Sequence, residues 1–90
     1  MNIDVSQLPL TEQLALMSEL IDFLDKRRTS YGSNSFGYIG NQASSMTGEF
    51  YGEITCAEYD NENRYRIAQD FWNALQEHYP QVYADFIRTI

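Results

Sequence analysis

Leu10, Leu14, Met17, Ile21 and Leu24 recur at spacings of four, three, four and three, the period of one helix face. Leu16, Leu20 and Phe23 form a second apolar stripe beside it. The combined surface is wider than a lone surface helix carries, so the helix predicted within 8–28 packs on two sides or meets a partner. Glu12, Glu19 and Asp22 take the opposite face, with Asp22 in i,i+4 reach of Lys26. Pro9 marks the start. Lys26, Arg27 and Arg28 close the run, where cations suit the negative end of the helix dipole.

The pattern then changes. Residues 29–48 hold four of the five glycines, Gly32, Gly37, Gly40 and Gly48, among many Ser and Asn, a composition that breaks helical periodicity. The stretch that follows alternates: Phe50, Ile54 and Cys56 fall on one side, and Glu49, Tyr51, Glu53 and Thr55 on the other. Period two is that of a half-buried strand. The expectation for 35–57 is a small β-hairpin with a long Ser-rich loop. A rival reading starts a helix at Thr55, where Thr55 and Glu58 fit a capping box.

Beyond that stretch, Asp60 or Asn61 can cap a helix. Tyr65, Ala68, Trp72, Leu75 and Tyr79 recur at three, four, three and four, with Ile67, Phe71 and Ala74 alongside. Pro80 ends or kinks this helix near Tyr79. A short helix follows, with Val82, Tyr83, Phe86, Ile87 and Ile90 on one side. The expected fold is α+β, one small domain over 1–90 ordered helix, β-hairpin, long helix, short helix. The alternative is an all-α bundle with a Gly/Ser-rich loop. In either, the first helix against the long third-zone helix makes the core.

The segment LPLTEQLALMSELIDFL at 8–24 resembles the Leu-rich, Glu-bearing opening helix of some toxin–antitoxin component proteins. That resemblance covers these residues alone, and its pattern is that of an amphipathic helix after a proline.

Composition narrows the function. Apolar residues at 43% and charged residues at 21% are too rich and too few, respectively, for a disordered chain. Six Lys plus Arg against thirteen Asp plus Glu leave a net charge of −7, which argues against direct nucleic-acid binding, since phosphate neutralisation needs a basic surplus. No apolar run approaches the ~18 residues of a membrane span. MNIDVSQLPL lacks the basic and apolar regions of a signal peptide. One cysteine forms no internal disulfide, so the expected location is cytoplasmic.

Catalytic and metal chemistry find little footing. Cys56 and His78 are the single residues of their kinds, with no motif around either to make them a nucleophile and base. Glu58, Asp60 and Glu62 have the spacing of a calcium loop, but Asn63 stands where the loop needs Gly and Gln69 where it needs Glu. One Cys and one His fall short of a zinc site. The Gly-rich zone has neither a phosphate-loop motif nor a Lys. The expectation is no enzyme, no cofactor and no metal.

Carboxylates and aromatics remain. Residues 49–62 carry Glu49, Glu53, Glu58, Asp60 and Glu62 with no Lys or Arg. Such a run is either a solubilising face or a field that attracts basic partners. Tyr31, Tyr38 and Tyr51 are candidate aromatic anchors for a contact. The leading expectation is a small acidic inhibitor or neutraliser of a basic, nucleic-acid-handling protein: a nuclease, a restriction or CRISPR effector, or a cognate toxin. It would act by electrostatic and steric blockade through Glu49, Glu53, Glu58, Asp60, Glu62, Tyr31, Tyr38 and Tyr51. The alternative is a non-catalytic assembly module, antitoxin-like, that forms a homodimer or docks a partner through the apolar face of helix 10–28.

Overall fold

A computed structural model of the chain describes residues 3–27, 39–56 and 60–90. It is helical throughout, with no strand among the described residues. A 3₁₀ turn at Val5–Gln7 precedes four α-helices: α1 (Leu10–Lys26), α2 (Ile39–Ile54), α3 (Asn61–His78) and α4 (Pro80–Ile87). The all-α alternative is the fold. The β-hairpin over 35–57 is overturned by α2, which occupies 39–54, and the rest of the Gly-rich zone, 29–38, lies outside the described residues.

The correction has a physical cause. Phe50 and Ile54 are four apart, a separation common to period two and period 3.6, so they line one face in a strand or a helix. Ala43, Met46, Thr47, Phe50 and Ile54 decide between the two: their spacing is helical, and Ala43, Thr47 and Ile54 are fully buried. Thr47, polar on this inward face, is satisfied by donating its hydroxyl to the Ala43 carbonyl at 2.7 Å. The rival helix start at Thr55 is also overturned. Thr55 follows the last turn of α2, and its hydroxyl donates to the Tyr51 carbonyl at 2.9 Å.

Glycine makes α2 a weak helix on its own, each interior Gly costing ~1 kcal/mol against Ala. Gly48 and Gly52 are exposed, and a Cβ added at either meets nothing within 4 Å. Gly48→Ala and Gly52→Ala are each expected to stabilise the protein by ~0.8–1 kcal/mol. Urea unfolding checks this: both midpoints should rise, and an unchanged or lower midpoint contradicts a regular helix there.

α1 packs most extensively on α2, and α3 packs against both. Burial on α1 runs along Gln13, Met17, Leu20 and Leu24, with Phe23 beside them, while Leu10, Leu14, Leu16 and Ile21 are half-buried. The inward stripe is therefore rotated by about one position from the expected one, and it includes a glutamine. α3 contributes Ala68, Phe71, Trp72 and Leu75, all fully buried. It starts where Asp60 accepts the Asn63 N–H at 2.9 Å, a side-chain N-cap. It ends at His78, and Pro80 opens α4, where its missing N–H costs nothing. α4 folds back onto α3, setting Phe86 against Trp72 (centroids 6.2 Å, nearly parallel) and edge-on to Phe23 (5.4 Å).

The N-terminal residues are tied across this bundle. Asp4 accepts from the Ser6 hydroxyl (2.6 Å), the Ser6 N–H (3.1 Å) and the Gln76 amide (3.2 Å). The Ser6 bonds hold its carboxyl below the ordinary value of 3.8. A depressed folded value means the associated stability is present above the unfolded pKa and is lost as pH falls through the folded one. The stability gap between wild type and Asp4→Ala is thus expected to be open at neutral pH and to close below pH ~3.8. Unfolding curves at both pH values check it, and a gap independent of pH contradicts it. Burial raises the Tyr83 hydroxyl above 10.0.

Candidate functional site

Helix α2 changes which candidate residues stand together. In a strand, Glu49, Tyr51 and Glu53 would share one face. In the helix, Glu49 and Glu53 remain neighbours at i,i+4, and Tyr51 turns to the other side. Tyr51 is half-buried and packs on the core, on a different side of α2 from Glu49 and Glu53. Glu49 and Glu53 are exposed, flanked by exposed Gly48 and Gly52. No Lys or Arg occurs on α2. The ion pairs among the described residues, Asp22 with Lys26 at 3.0 Å and Asp85 with Arg88, involve neither glutamate.

Their position is unfavourable for the helix. Glu53 sits in the last turn of α2, where aligned peptide dipoles leave partial negative charge. Two like charges at i,i+4 repel as well. Asp60 and Glu62 differ. They lie at the start of α3, where the dipole favours them, and Asp60 is engaged as the cap. α3 also brings cations to this corner. Arg64 donates to the Cys56 carbonyl at 3.2 Å, tying α3 back to the end of α2, and Arg66 donates to the Asn63 side chain at 2.8 Å. Among the described residues, the exposed Glu49 and Glu53 of α2 thus have no local cap or ion pair, as is also true of Asp25 near the end of α1 and Glu77 near the end of α3. Glu58, Tyr31 and Tyr38 lie outside the described residues.

The remaining candidates separate cleanly. Cys56 precedes α3 and His78 ends it, so the helix holds them apart by its length, about 27 Å at ~1.5 Å per residue. No group of three His, Cys, Asp or Glu among the described residues could hold a metal. Lys26 is paired with Asp22, and Arg27 lies over the Phe23 ring at 4.0 Å, so neither stands as part of a free basic patch. Two open grooves, of about 540 and 560 Å³, flank the end of α1 and the N-terminal segment; neither touches Glu49 or Glu53. No helix among the described residues is long and apolar enough to cross a membrane.

Sequence reasoning missed a polar cluster: Gln13, Gln69, Gln76 and Tyr83 all bond to residues 3–8. Two signals for it were present. Gln69, Gln76 and Tyr83 recur every seven residues, and Gln13 falls in register with Met17, Leu20 and Leu24. No family model, curated protein or solved structure matches the chain.

Proposed function

We propose that the chain is a small acidic protein-binding inhibitor, and that its contact surface is centred on the outer face of α2. Its target is a basic, nucleic-acid-handling protein. The observation that carries this reading is the placement of Glu49 and Glu53: exposed on one face at i,i+4, without an ion-pair partner among the described residues, on a helix with no Lys or Arg, and with Glu53 in the last turn, where carboxylates destabilise. Carboxylates kept where they cost the fold a few tenths of a kcal/mol are accounted for by an external cation. The target's Lys and Arg, which otherwise meet phosphate, are such cations. Glu62 extends the surface, and the absence of a Cβ at Gly48 and Gly52 lets a partner approach the α2 backbone closely. The net charge of −7 speeds association with a basic partner.

The assembly alternative has less to rest on. Met17, Leu20, Phe23 and Leu24 are buried within the bundle, and Ile90 is the exposed large hydrophobic residue among those described.

The test is capture by tagged protein from its own source cells, washed at low salt and again at about 0.5 M, where the Debye length falls to roughly 4 Å. The expected catch is a basic DNA- or RNA-handling protein, retained at low salt, released at high salt and displaced by competing nucleic acid. Capture indifferent to both salt and nucleic acid contradicts the proposal.

A further inference from the structure

Residues 3–8 are held the way a peptide ligand is held. Their secondary structure is one 3₁₀ turn, and side chains of the helices make their anchoring bonds. The Tyr83 hydroxyl donates to the Ile3 carbonyl at 2.7 Å and accepts the Val5 N–H at 3.1 Å. Gln69 and Gln13 both donate to the Ser6 carbonyl, at 3.0 and 3.2 Å, and Gln13 also donates to the Leu8 carbonyl at 2.7 Å. Gln76 donates to the Asp4 carboxylate at 3.2 Å. Between these bonds Val5 is fully buried. The cleft thus reads a single 3₁₀ turn with extended residues on either side, an acidic side chain and the β-branched residue after it.

Two features make this segment separable from the body. Leu8 and Pro9 are both extended, with ψ of 161° and 153°, and Pro9 has no N–H to join the segment to the hydrogen bonding of α1. The cleft is also incompletely satisfied while occupied: Gln13 is fully buried, yet its Oε1 accepts from no group. An unpaired buried acceptor lowers the cost of opening, because release returns it to water.

We propose that the cleft lined by Gln13, Gln69, Gln76 and Tyr83 is a peptide-recognition site, filled in cis by residues 3–8, and that the same segment of a second copy fills it in trans. Reciprocal exchange reuses every contact and closes a two-fold dimer, so concentration sets its extent. This inference is independent of the α2 surface.

A fluorescent peptide of residues 2–9, NIDVSQLP, tests it against the full-length chain. Val5→Ala and Asp4→Ala weaken the internal segment and leave the cleft intact. Each is expected to bind the peptide at least tenfold more tightly than wild type, because the internal competitor is weaker. Tyr83→Phe, added to either variant, should reverse that gain, and a scrambled peptide should not bind. The proposal is overturned if a variant that is helical by circular dichroism takes up no peptide. It is equally overturned if the scrambled peptide binds as well, or if Tyr83→Phe changes nothing. Should Val5→Ala fail to fold, Asp4→Ala decides alone, since Asp4 is an exposed side chain.

Discussion

Trp72→Ala is expected to remove about 3–5 kcal/mol of stability, a large share of the roughly 5–13 kcal/mol that a chain of this length carries at ~0.05–0.15 kcal/mol per residue. Trp72 is fully buried where α3 meets α4. Its indole meets Phe71 edge-on at 4.9 Å, stacks on Phe86 at 6.2 Å and meets Tyr83 at 6.3 Å. Truncation leaves a cavity that two helices would have to collapse to fill. Trp72→Phe should behave differently. The indole N–H is buried without an acceptor, so removing it recovers a desolvation cost of ~1–3 kcal/mol that offsets the smaller void. The expected net change is within about 1 kcal/mol of wild type. Urea unfolding followed by far-UV circular dichroism separates the two variants. Equal, large losses from both would mean that the indole N–H contributes to stability rather than detracting from it.

Where one period dominates, the sequence predicts the fold well. The helix expected within 8–28 is α1, Leu10–Lys26, and the break at Tyr79–Pro80 lies where proline chemistry puts it. The register on α1 is less legible, because two neighbours bury two flanks and Gln13 enters the core once its amide finds the Ser6 and Leu8 carbonyls. At the end of α2 the alternation of Phe50, Ile54 and Cys56 with Glu49, Tyr51, Glu53 and Thr55 points to a strand, and the composition of α2 also disfavours helix. Gly40, Gly48, Gly52, Ser44 and Ser45 all weaken it locally, and packing against α1 and α3 supplies what propensity lacks. The short alternating window is ambiguous: Phe50 and Ile54 share a face under either period, and the helical one shows only when Ala43, Met46 and Thr47 are included. The candidate site inherited that ambiguity in part. Glu49 and Glu53 share a face under either period, Tyr51 does not stay with them, and Asp60 serves as a cap.

The second large effect follows from the surviving part of that site. Reversing Glu49, Glu53 and Glu62 to Lys replaces three attractions to a basic partner with three repulsions. If each altered contact is worth ~1 kcal/mol or somewhat less at an exposed rim, binding should fall by about a hundredfold, which is ~2.7 kcal/mol. Asp60 is left in place because its loss would uncap α3. Glu12, Glu19 and Asp22, exposed on α1, supply the control: their reversal changes net charge by the same amount on another face. Neither set touches the core, so both variants should unfold cooperatively. Glu53→Lys should even stabilise α2 slightly, since cations suit its last turn.

Calorimetric titration of the captured partner with these two triple variants is therefore the decisive measurement. A loss of about a hundredfold for the Glu49, Glu53 and Glu62 reversal, against less than about tenfold for the α1 set, is the result expected of a contact centred on α2. Equal losses from the two sets would contradict it and leave net charge alone as the source of attraction.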